Sequence, residues 1–297
     1  MTVQTLLSAL GPEIEDPEEE SFLLFSQSIP SQNLGFVDSK ATLLELTVGS
    51  RDLSIHQSPT ILSSNRGGGT TGAVVWKITP LFASWITSAS NVLFTHNVLD
   101  SSSAVIELGC GISGIIGLAL APRIQSYVLT DQDYVMKLLN ENLRENQQNM
   151  SSGKGRKSTP KPKRGSVSAP APKAESNITA RPLDWETDEV TASLTGSTSS
   201  HDFDAVIACD CIYNDALIEP LVQTCVNVCK MRPSDTAEDR QKPTVCIVAQ
   251  QLRSAEVFEA WLKAFSKAFH VWRVPDESLI DGLKSDSGFV IHIGILK

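Results

Sequence analysis

A chain of 297 residues with 41% apolar and 20% charged side chains can bury a sizeable core and is too ordinary in composition to be wholly disordered. No uncharged apolar run approaches the roughly 18 residues of a membrane span. No basic segment precedes the short apolar stretch Leu6, Leu7, Ala9 and Leu10, so a secretory signal is excluded and a soluble, intracellular protein is expected, cytoplasmic with the nucleus as a second location.

Residues 1–32 read as an acidic, flexible lead-in, with Glu13, Glu15, Asp16, Glu18, Glu19 and Glu20 and little periodicity. Residues 33–100 read as a small antiparallel β meander followed by a helix. The meander is carried by Leu34 and Phe36, then Leu43, Leu44, Leu46 and Val48, then Leu53 and Ile55. A glycine-rich loop from Arg66 to Gly72 leads into Val74, Trp76, Ile78, Leu81, Phe82, Trp85 and Ile86 at helical spacing.

Residues 101–297 alternate strands and helices. Strands are expected over 104–109, 127–131, 178–183, 203–209 and 245–249, and two more near 271–274 and 288–296. Helical stripes lie between them, one starting after Ser254 as N-cap. Nearly continuous apolar strands separated by helices imply an α/β, mostly parallel sheet with helices on both faces.

An insertion at 150–175 interrupts this core. It is rich in Ser, Pro and Gly, and its Lys154, Arg156, Lys157, Lys161, Lys163, Arg164 and Lys173 split the net −9 into +7 there and −16 elsewhere. Such a segment cannot offset its conformational entropy and is expected to be disordered. A weak RNA contact is one use for it and a solvated linker another. The six cysteines, Cys110, Cys209, Cys211, Cys225, Cys229 and Cys246, sit in apolar patterns, as small buried hydrophobes do. Their spacing matches no common zinc site, so no metal is expected.

The sharpest chemical feature is Val105-Ile106-Glu107-Leu108-Gly109-Cys110-Gly111-Ile112-Ser113-Gly114, a strand running into a glycine turn and a helix. The glycines let a ligand approach the backbone, and the helix N-terminus offers free N–H groups. Asp131 lies 20 residues beyond Gly111, where a carboxylate can accept hydrogen bonds from ribose hydroxyls. A dinucleotide and S-adenosylmethionine both satisfy these features, and Asp131 can also cap the next helix, a role compatible with the first.

The run Glu107 to Gly114 resembles the first motif of the seven-strand S-adenosylmethionine methyltransferases. Three further segments narrow the resemblance. Thr71-Gly72-Ala73-Val74-Val75-Trp76 is similar to a T-G-x-x-x-W element, Leu183-Asp184-Trp185 to L-D-W, and Asp210-Cys211-Ile212-Tyr213 to D-x-x-Y. Together they resemble the family 16 protein-lysine methyltransferases and, within these, the fungal ribosomal lysine methyltransferase 5 group. The resemblance implies a Rossmann-like sheet of seven strands, S-adenosylmethionine as cofactor, and a protein substrate, a ribosomal protein first and an elongation factor or chaperone next. It implies that Trp76, Glu107, Gly109, Cys110, Gly111, Asp131, Trp185 and Ala208 line the cofactor site, and that Asp210 and Tyr213 face the target lysine. A monomer is expected. A nucleic-acid adenine N6-methyltransferase is the alternative that the fold allows, although such enzymes carry N/D-P-P-Y where this chain has Asp-Cys-Ile-Tyr.

Overall fold

The computed structural model describes residues 3–30, 35–66, 69–151, 176–196, 202–232 and 242–297. Its centre is a seven-stranded sheet. β1 (Leu43–Val48) and β2 (Arg51–His56) form a separate antiparallel hairpin. β3 (Ala104–Leu108), β4 (Ser126–Asp131), β5 (Ile178–Pro182), β6 (Ala205–Cys209), β7 (Val245–Gln251), β8 (Phe269–Arg273) and β9 (Phe289–Leu296) make the main sheet, in the order β5-β4-β3-β6-β7-β9-β8. β5 to β7 run parallel, while β9 slots antiparallel between β7 and β8.

The central strands are Val- and Ile-rich and buried along their whole length, as parallel strands covered on both faces must be. One face is covered by α4 (Ile78–Ile86), α6 (Ile115–Leu120) and α7 (Asp133–Ser151), together with the hairpin. The other face is covered by α8 (Ile218–Lys230) and α9 (Ala255–Ala268). Short helices α3 (Pro59–Leu62) and α5 (Val92–Thr95) connect the hairpin, α4 and β3. All six cysteines are buried free thiols.

Strand order reverses at β3, which has β4 on one side and β6 on the other. The crevice outside the carboxyl ends of β3 and β6 is therefore the place where an open α/β sheet takes its ligand. Both motif segments, after Leu108 and after Cys209, emerge there.

The acidic lead-in is ordered, contrary to the expectation for 1–32. It folds into α1 (Val3–Leu10) and α2 (Pro17–Phe25). Asp16 accepts the backbone N–H groups of Glu18 and Glu19, Pro17 occupies the first turn, and three glutamates sit at the positive end of the helix dipole. Leu6, Leu10 and Leu24 are buried, and Ile14 N–H donates to Val271 O at 2.8 Å. Of the acids that suggested a solvated tail, Asp16 is thus the cap and Glu18, Glu19 and Glu20 the first turn of a helix.

The meander shrinks to the β1–β2 hairpin. Phe36 makes only an isolated bridge to Trp76, and Leu34 lies outside the described residues. Because Val37 N–H donates to Val75 O at 3.0 Å, residues 74–76 are held extended and α4 starts later than the apolar spacing suggests. From the other side, α7 grips the hairpin edge. Asn142 exchanges two hydrogen bonds of 2.8 Å with the backbone of His56, and Asn146 two of 2.9 Å with that of Ser54. Asn142 also donates to Ile112 O at 2.7 Å, tying the glycine turn to α7. The basic insertion lies outside the described residues from 152 to 175.

Candidate functional site

Backbone geometry makes the floor of the crevice. Gly109 and Gly111 follow β3 with φ of 69° and 61°, a left-handed region that costs other residues about 1–2 kcal/mol. Space is equally restrictive. A Cβ on Gly109 would stand 2.8 Å from Cys211 Sγ and 3.0 Å from the Trp185 ring, and one on Gly111 would stand 3.2 Å from Gly72 O. The turn is packed from above by Gly72, whose carbonyl accepts the Ile112 N–H at 2.9 Å.

Two carboxylates flank the turn. Asp131 Oδ2 accepts the Gly111 N–H at 2.8 Å and Oδ1 the Gln132 N–H at 2.7 Å. Burial pushes its pKa up to about 6 against those two hydrogen bonds, so it is mostly ionised at neutral pH. Each oxygen keeps a second lone pair for a ligand hydroxyl. Glu107, two residues before Gly109, accepts the Tyr127 O–H at 2.7 Å. Burial pushes it to about 8, so at neutral pH it is mostly the uncharged acid.

The T-G-x-x-x-W segment folds back over this floor. Thr71 Oγ1 donates to the Tyr213 hydroxyl at 3.0 Å, and Trp76 Nε1 donates to Thr71 O at 3.1 Å. The Trp76 ring meets Phe36 with centroids 4.5 Å apart. Trp185 lies against Gly109, and its buried indole N–H has no partner among the described residues. Tyr213 stays 42% exposed, which places it at the mouth.

Nine of the ten residues expected from the sequence line this one cleft of about 1240 Å³, its open mouth included: Trp76, Glu107, Gly109, Cys110, Gly111, Asp131, Trp185, Asp210 and Tyr213. Ala208 does not. It is fully buried in the core on the α8–α9 face, and its neighbour Cys209 lines the cleft instead, because side chains alternate along β6. Phe36, Gln132, Tyr134 and Arg253 also line it and were not expected. The signal for Arg253 is its position just beyond the carboxyl end of β7, where parallel strands present ligand-facing groups.

The sequence model of a family described as lysine methyltransferase matches residues 55–155 and 164–254. The chain belongs to that lysine methyltransferase family. Its relatives include a ribosomal lysine N-methyltransferase 5 from Vanderwaltozyma polyspora, 26% identical over 323 residues, with 93% of this chain and 94% of that protein covered. A Schizosaccharomyces pombe protein named diaminohydroxyphosphoribosylamino-pyrimidine deaminase is 28% identical over 260 residues. That match takes in 87% of this chain, which spans only about half (53%) of the fission-yeast protein. Among solved structures, a carbon methyltransferase, CurJ, has a TM-score of 0.43 at 14% identity, with 74% of this chain and 57% of that one covered.

The cleft suits S-adenosylmethionine, the cofactor that the sequence resemblance implies, on its own geometry. The glycine turn leaves room for close approach, Asp131 offers spare lone pairs to ribose hydroxyls, and the Trp185 N–H is a buried donor awaiting an acceptor. Trp76, Tyr134 and Trp185 supply apolar ring faces beside these polar groups.

Proposed function

We propose that this chain transfers a methyl group from S-adenosylmethionine to a lysine side chain of a protein, with a ribosomal protein as the substrate. The observation that carries the reading is the convergence of the glycine turn after β3 with Asp210 and Tyr213 after β6 in one cleft at the strand-order reversal. The substrate class follows the name of the V. polyspora relative, which matches along nearly its full length. The deaminase name of the S. pombe protein describes other chemistry, whereas the residues matched here carry the methyltransferase pattern.

Bound there, S-adenosylmethionine supplies an electrophilic methyl group on a sulfonium. The remaining work falls to this chain. Gly109, Gly111, Asp131 and Trp185 hold the donor end, leaving the Asp210 and Tyr213 side for the acceptor. In-line displacement needs alignment and exclusion of water above all. Trp76, held by Phe36 and Thr71, and Tyr213, held by Thr71, form the walls that do this. A free lysine has a pKa of about 10.4 and arrives as an ammonium ion. An apolar cleft favours the neutral amine, whose lone pair attacks. Among the described residues no helix is long and apolar enough to cross a membrane, and we place the activity in the cytoplasm, where ribosomes are met.

The test is incubation of the purified chain with tritiated S-adenosylmethionine and ribosomal subunits, followed by protease or nuclease. Label should survive nuclease, be lost to protease and release methylated lysine on hydrolysis. Label lost to nuclease instead would overturn the lysine assignment in favour of a nucleic-acid acceptor.

A further inference from the structure

The carboxylate at the acceptor end is already taken. Asp210 follows β6 with a left-handed backbone, φ 61°, and its side chain is only 2% exposed. Its Oδ1 and Oδ2 each accept from a different guanidinium nitrogen of Arg253 at 2.7 Å. The Gln251 N–H adds a third bond to Oδ1 at 3.2 Å. A two-point arginine–carboxylate pair is the strong, directional form of this interaction.

Arg253 is held as firmly as its partner. Its guanidinium lies 5.1 Å from the centroid of the Trp76 ring, within range of a cation–π attraction. Gly35 closes over it. A Cβ on Gly35 would stand 2.7 Å from Arg253 Nη2 and 2.1 Å from Gln251 Oε1. The Gly35 backbone is pinned in turn, because its carbonyl accepts the Lys77 N–H at 2.8 Å. One side chain thus joins the end of β6, the end of β7 and the segment around Phe36 and Trp76.

A lysine ammonium reaching Asp210 would have to displace two charge-assisted hydrogen bonds, and it would do so beside a fixed positive charge that favours the neutral amine. The nearby thiols of Cys209 and Cys211 are kept protonated by burial and do not alter that balance. We propose that Arg253 is the positioning residue of the acceptor site: it fixes Asp210 and cancels its charge, so that the cleft accepts lysine as a neutral amine and does not capture its ammonium ion. This deepens the lysine methyltransferase reading and rests on it.

The experiment is calorimetric titration of the full chain, saturated with S-adenosylhomocysteine, with n-butylammonium chloride at neutral pH. The wild type should bind this lysine mimic no better than D210N. R253Q uncovers the carboxylate, itself only 2% exposed, and should bind the mimic about tenfold more tightly, the range of one hydrogen bond to a buried charged group. The gain should vanish in the double variant R253Q/D210N, and R253K, which keeps a cation on Asp210, should behave as wild type. A role in folding alone would lower the melting temperature without creating ammonium binding. Tighter binding by wild type than by D210N, or no gain in R253Q, overturns the proposal. Should D210N fail to fold, R253Q against R253K decides, and equal uptake by the two overturns it. Failure of the methyltransferase reading is visible separately, as absent uptake of S-adenosylhomocysteine; the same amine comparison is then made on the unloaded chain.

Discussion

Gly109 sets how closely a ligand can approach the end of β3. Gly109→Ala would place a methyl group 2.8 Å from Cys211 Sγ at a left-handed φ. We expect at least a tenfold loss of S-adenosylhomocysteine affinity by calorimetry, about 1.4 kcal/mol, in a protein that still folds. Glu107 carries a different prediction. Its pKa rises from 4.5 to about 8 on folding, so across that window the folded chain holds a proton that the unfolded chain has released. Stability must therefore fall as pH rises towards 8. Asp131 contributes in the same sense only up to about 6, and buried His292, held below its ordinary value of 6.5, contributes in the opposite sense up to that value, so the interval between about 7 and 8 isolates Glu107. Melting curves of the unloaded protein should slope downward there, and Glu107→Gln, which keeps an acceptor for Tyr127, should flatten them. An unchanged slope would mean that Glu107 is ionised in the folded state.

At the scale of elements, the N-terminal helices show how little sequence signal a packed segment can carry. α1 is only eight residues long, too short for its apolar stretch to show a repeated helical period, yet Leu6 and Leu10 enter the same core as α4 and β8–β9. Leu6→Ala should cost about 2–5 kcal/mol in chemical denaturation, the range for a fully buried leucine. Cofactor affinity should stay the same, because Leu6 does not line the cleft. A variant as stable as wild type would place α1 in solvent. The asparagine pairs from α7 to β2 belong to the same scale. Asn142 and Asn146 sit four apart on one helix face, a spacing visible in the sequence, but the hairpin edge they grip is 86 and 92 residues away.

For the whole molecule, the reversal of strand order at β3 is what gathers the site. Segments near residues 36, 71–76, 109–111, 131, 185, 210–213 and 253 meet there, and none lies in the basic insertion. Replacing residues 152–175 by a short Gly/Ser linker should therefore leave S-adenosylhomocysteine affinity unchanged. If the seven basic residues also touch ribosomal RNA, the same replacement should flatten the salt dependence of ribosome methylation. A weakened cofactor affinity would instead make the insertion part of the site.

Periodicity and composition by themselves pointed to the alternating strands and helices and the glycine turn, because each depends on neighbours a few positions away, whereas the ten expected site residues came from contiguous motifs that resemble those of a known family, and nine of them line one cleft. Tertiary structure alone decided the rest. It inserted β9 between β7 and β8, ordered the acidic N-terminus, turned Ala208 into the core, and set Arg253 on Asp210 beneath Gly35. These are pairings across 19 to more than 200 residues, and nothing in a local pattern specifies which distant group will meet a strand end; sheet order and packing do.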